Sequence, residues 1–140
     1  MKTILVKALS FILIGCCVSC GKGGGGGGPV EPAEQNLSIA INPDPGTSVA
    51  AALSASYAFK LLINSTPPKN GVKIDITGTK ESDNSIQFSQ TTQTSNNTVN
   101  SVDLNLQNLV SGILYVVRVD VTSLTTATNK ASLTFKVSRK

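Results

Sequence analysis

The sequence predicts an all-β protein, a seven-stranded antiparallel β-sandwich occupying Leu37 to Lys140, and three observations predict it. Apolar residues alternate with polar ones at period two from Leu37 onward, which is the rhythm of a half-buried strand and not of a helix. Ser, Thr and Asn supply 37 of those 104 residues, and β-branched residues are frequent. The alternating runs are short and separated by turn signals, the spacing expected of two packed sheets.

The runs justify the elements in order. Leu37, Ile39 and Ile41 share one face of a first strand, which the turn Asn42 to Gly46 (NPDPG) ends because proline cannot donate to a ladder. Tyr57, Phe59, Leu61 and Ile63 line a second strand. Val72, Ile74 and Ile76 line a third, entered through Pro67 to Gly71, where Asn70-Gly71 is a turn signal. Ile86 and Phe88 mark a short fourth strand after a polar loop, Gly78 to Ser85. Val102, Leu104 and Leu106 mark a fifth. Ile113, Tyr115, Val117, Val119 and Val121 form the longest stripe, and the partly apolar opposite face places this strand centrally. Leu133, Phe135 and Val137 line the seventh. Val49 to Leu53 (VAAAL) fits either a helical turn or a broken edge strand.

Leu109 to Val121 (LVSGILYVVRVDV) carries a more specific pattern: a leucine, a glycine three residues later, a tyrosine six after the leucine, then alternating valines. It resembles the corner and following strand of a fibronectin type III domain, and Asn129 to Val137 resembles that family's final strand. The resemblance implies a structural corner at Leu109, Gly112 and Tyr115, with the Tyr115 hydroxyl bonding back to the nearby backbone. The family's buried tryptophan is missing, with Tyr57 or Phe59 in reach as substitutes. An immunoglobulin-like sandwich outside that family is equally open.

The N-terminus has another character. Met1 to Ser19 begins with Lys2 and Lys7, continues with an apolar run from Ala8 to Val18, and gives way abruptly to Gly21 and Lys22. Eleven apolar-dominated residues fall short of the roughly twenty that span a bilayer but match the core of an export signal. The stretch Leu13 to Gly23 (LIGCCVSCGKG) sets small residues before cysteine and resembles the lipobox of bacterial lipoproteins, of the Bacteroidetes type. That resemblance implies removal of residues 1–19 and lipidation of Cys20, where the apolar run ends. Cys16, behind Leu13, Ile14 and Gly15, is the alternative, and a plain signal peptide cleaved near Ser19 is the simpler one. The residue after either cysteine is not aspartate, which by the family's sorting rule implies the outer membrane, on its periplasmic face or at the cell surface.

Residues 20–36 read as a lipidated cysteine and a tether. The glycines of Gly21 to Gly28 carry no side chain to bury and lose much backbone entropy on ordering, so a flexible spacer is expected. From Gly21 to Asn36 it would span roughly 22 Å on average and about 55 Å when stretched. The glycine run lacks the strand before it and the Lys-Ser or Lys-Thr step after it that phosphate-binding loops require.

Absences narrow the chemistry. The chain has no His and no Trp, and its three cysteines, Cys16, Cys17 and Cys20, precede the predicted domain. Serine or cysteine nucleophiles paired with histidine, zinc sites and disulfides are therefore not expected in it. Beyond Lys2 and Lys7, ten basic side chains face eight acidic ones, a balance that does not suggest nucleic acid. Asp75, Asp103 and Asp120 fall on outward strand positions, and Glu81 and Asp83 share a loop without calcium-loop spacing. Tyr57, Phe59, Phe88, Tyr115 and Phe135 all fall on core positions by alternation, leaving no platform for stacking a sugar. No Arg-Gly-Asp tripeptide occurs. The expectation is a non-enzymatic, lipid-anchored envelope protein that displays an interaction or spacer module to a protein or glycan partner, without cofactor, catalytic residues or metal. A carbohydrate-binding accessory lipoprotein of a polysaccharide-uptake system is the alternative.

Overall fold

The computed structural model describes Pro32–Lys140, one compact unit that starts ahead of the Leu37 boundary. Its eight strands are β1 (Ile39–Asn42), β2 (Val49–Ala52), β3 (Tyr57–Ile63), β4 (Val72–Lys80), β5 (Ile86–Gln93), β6 (Ser101–Leu106), β7 (Leu114–Ser123) and β8 (Lys130–Arg139). They form a three-stranded sheet in the order β1-β3-β6 and a five-stranded sheet in the order β2-β8-β7-β4-β5. No helix occurs among the described residues.

The seven-stranded, wholly antiparallel expectation is corrected in two respects. Val49–Ala52 is an eighth strand, and it runs parallel to β8, so the larger sheet is mixed. The prolines after Asn42 end the pairing of β1 with β3, and the chain resumes four residues of strand on the other sheet. Alanine side chains contribute little to periodicity, but Ala50 and Ala52 are buried where Val49 and Ala51 face outward. The second correction concerns Gly78 and its neighbours. Gly78, Thr79 and Lys80 belong to β4, not to a loop, and β5 is eight residues long.

The reason lies at Gly78 itself, where an added Cβ would collide with the Phe88 ring. The missing side chain lets Phe88 lie across β4 and pack on Tyr115, with ring centres 5.9 Å apart. A bulge between Gly78 and Thr79 shifts the register there, so Phe88 turns inward while Ile86 remains 67% exposed.

The core sits between the sheets. Leu61, Ile74, Ile76, Leu106, Val72, Val117, Val119, Val121 and Val137 are fully excluded from solvent. Phe59 and Phe135 meet edge to face across the gap at 5.3 Å, and Tyr57 lies 6.2 Å from each of them. Burial raises the Tyr57 pKa above the usual tyrosine range. Every buried side-chain polar atom among the described residues has a hydrogen-bond partner, as a well-formed core requires.

Candidate functional site

Three places bring polar chemistry together: the outer face of the five-stranded sheet, the corner before β7, and the polar clamp at the start of the compact unit. On the outer face, register places Thr91, Asp75, Asp120 and Ser132 in one row across β5, β4, β7 and β8. Two aspartates directly opposite each other repel, and the surrounding groups offset that. Lys73 Nζ lies 2.9 Å from Asp75, and Arg118 Nε lies 2.8 Å from Asp120. The Thr91 hydroxyl donates to Asp75 and the Ser132 hydroxyl to Asp120. The Lys73 hydrogen bond, followed by that of Thr91, holds the Asp75 carboxyl below its ordinary value. The Arg118 hydrogen bond does the same for Asp120, and Asp120 in turn raises the Arg118 pKa.

This row is a self-neutralised strip with each charge already occupied. Among the described residues no three carboxylate, cysteine or histidine side chains converge as a metal site would need. Asp103, on the outer face of the smaller sheet, pairs with Lys60 at 2.7 Å.

At one end of the sandwich an open groove of about 430 Å³ is lined by Lys80, Glu81, Ser82, Asp83, Gly112 and Ile113, among others. Its carboxylates are engaged. Glu81 pairs with Lys136, and Asp83 accepts from the Ser85 hydroxyl at 2.6 Å and the Ser85 amide at 2.9 Å. The Ser85 hydroxyl bond keeps the Asp83 carboxyl below its ordinary value.

The residues named for the corner lie together beside this groove. Leu109 is buried, and its amide donates to Ala55 O at 2.9 Å. Gly112 adopts a positive φ of 77°, a conformation that disfavours any residue with a Cβ. Tyr115 is buried, and the Val110 amide donates to its hydroxyl oxygen at 3.0 Å, so the hydroxyl accepts the backbone bond. Arg139 Nη1 donates to Leu109 O at 3.2 Å and ties the corner to the end of β8. Cys20 and Cys16, the lipidation candidates, lie outside the described residues.

The clamp was invisible in the sequence. Glu34, assigned above to the tether, accepts from Ser123 Oγ at 3.0 Å and from Asn129 Nδ2, and Asn129 Oδ1 accepts from the Leu37 amide at 2.8 Å. Gln35 accepts from the Thr66 amide at 2.9 Å and from Asn129 Nδ2 through its carbonyl. Ser123, 2% exposed, also accepts from the amides of Thr125 and Thr126. Polar residues after a glycine run carry no periodic signal, so only the spatial meeting with Asn129 discloses them. No model of a known protein family and no characterised protein matches this chain.

Proposed function

We propose that the chain is a lipid-anchored cell-envelope protein displaying a non-catalytic β-sandwich as an interaction or spacer module. The observation that carries the reading is the order of parts: basic start, apolar run, small residues and cysteine, a glycine run, then a compact sandwich beginning at Pro32. Acyl chains on Cys20 would hold the chain in the outer membrane, and the glycine run would separate the sandwich from the lipid.

A fibronectin type III or immunoglobulin-like topology is part of the same proposal. The order β8-β7-β4-β5 parallels G-F-C-C′ of such sandwiches, with β1-β3-β6 as A-B-E and β2 an addition along the last strand. The backbone bond to Tyr115 near the start of β7 also supports it. Aromatic rings turned into the core favour a protein partner over a glycan, since stacking on sugar needs an exposed ring face.

The test is fatty-acid labelling and detergent partitioning of the full chain. Cys20→Ser is expected to lose label and move to the aqueous phase, whereas Cys16→Ser keeps both. Loss on Cys16→Ser alone moves the anchor to that residue, and an unlabelled, aqueous parent chain refutes the anchor.

A further inference from the structure

The two sheets have four edges, and three are blunted. β1 and β2 are four residues long, with Pro43 directly after β1, and β6 is six residues long with Asp103 in its middle. β5 is different: it runs eight residues along the rim of the larger sheet, and no charged residue, proline or glycine occurs from Asn84 to Val102. Native edges are usually protected by short length, charge or proline. This one has only the bulge at its beginning, opposite Gly78 and Thr79.

The backbone groups it offers follow from the register. Thr94 donates its amide to Val72 O and the Val72 amide donates to Thr94 Oγ1, which sets the parity of the ladder, so by alternation Thr92 with Ile74 and Gln90 with Ile76 are the hydrogen-bonded pairs. The amides and carbonyls of Ser89, Thr91 and Gln93 are therefore directed away from β4. Their side chains share the outer face, where Thr91 already donates to Asp75.

We infer that β5 is a homodimerisation edge, at which a second copy of this chain adds its own β5 antiparallel around a twofold axis at Thr91. That register pairs all three outward residues with one another: Thr91 with the other copy's Thr91, and Ser89 with its Gln93 on either side. Each such pair exchanges two backbone hydrogen bonds, and the two larger sheets become one continuous sheet. Cross-strand threonine pairs and glutamine beside serine are favourable neighbours, and no like charges meet along the seam. The nearest carboxylates, Asp75 of each copy, stand three strand spacings apart, about 14 Å, beyond the screening length at physiological salt. Lys73 partners each of them as well. A charged foreign strand finds no opposite charge on β5 to select it, whereas a second β5 matches the pattern of hydroxyl and amide groups. The inference does not depend on lipidation.

The test is Thr91→Cys in the full chain, oxidised in detergent, with the unsubstituted chain as background for Cys16, Cys17 and Cys20. Hydrogen-bonded antiparallel partners have Cα atoms about 5.5 Å apart, within reach of a disulfide. A reducible dimer linked through residue 91 is expected, with Asp103→Cys on the β6 edge remaining at background. Thr91→Lys, which sets two ammonium groups face to face, is expected to weaken association about tenfold or more while leaving the circular dichroism unchanged. A parent chain that sediments as a monomer overturns the inference, as do equal cross-linking from Asp103→Cys and a Thr91→Cys adduct only to another protein.

Discussion

Ile74 and Asp75 are neighbours on β4 and live in different physics. Ile74 is wholly shielded between the sheets, while the Asp75 carboxylate sits in an open strip with Lys73 and Thr91. The contrast extends along the rows of the sheet, with Val121, Val119 and Val117 inside and Asp120 and Arg118 outside on β7. Inner positions stabilise by removing apolar area from water, and outer positions gain little from exposed ion pairs. What the outer strip controls is which charges meet there. The inner pattern also fades sideways, because past Phe88 the inward positions of β5 are Gln90 and Thr92. The larger sheet thus extends past its packed core toward an uncharged edge.

The largest expected effect breaks the inner face. Ile74→Ala removes a fully buried side chain from the middle of the larger sheet, and a loss of about 2 to 5 kcal/mol in unfolding free energy is expected. Chemical denaturation of the two chains measures it. A loss no larger than that of an outer-face substitution would mean that the inner face is not the packed one.

An intermediate effect is expected where inside and outside meet, at the corner. Tyr115→Phe keeps the ring against Phe88 but leaves the Val110 amide without its acceptor. Val110 is 52% exposed, so water can replace part of that bond, and a cost of about 1 kcal/mol is expected. A denaturation midpoint equal to that of the parent would show that the hydroxyl bond is dispensable and the ring alone holds the corner.

The same inside-outside contrast explains what was legible in the sequence. Strands with one apolar face announced themselves, so Tyr57 to Ile63 and Val102 to Leu106 fall where the alternation put them, and the Ile113 to Val121 stripe does so from Tyr115 onward, with Ile113 just ahead of β7. Val49–Ala52 was ambiguous because alanine suits helix and strand alike, and its parallel partner β8 lies some ninety positions away. β5 was underestimated because only Phe88 turns a large apolar group inward, leaving Ser, Thr and Gln without a periodic signal. Gly78 looked like the start of a loop, and its role depends on Phe88 crossing it, a contact set by register and a bulge. Leu109, Gly112 and Tyr115 lie within seven positions of one another, so their nearness is local. Glu34, Ser123 and Asn129 meet only through the fold.

The smallest effect is expected on the outer face, and it is a pH dependence. Asp75 and Asp120 titrate below the ordinary aspartate value of 3.8 because hydrogen bonds from Lys73 and Arg118 favour their charged forms in the folded chain. A carboxyl with a lowered folded pKa contributes stability that is fully present above the unfolded value and disappears as pH falls through the folded one. The denaturation midpoint should therefore be insensitive to these groups between neutrality and about pH 5, and decline below about pH 4 as protons dissolve the strip. Asp75→Asn with Asp120→Asn removes both titrations, so the acid limb should become shallower while the neutral midpoint moves much less than for Ile74→Ala. Added salt should shrink the difference between parent and variant, because both pairs are open to solvent. An acid limb as steep in the double variant as in the parent would assign acid sensitivity to other carboxyls and leave the outer strip without a part in stability.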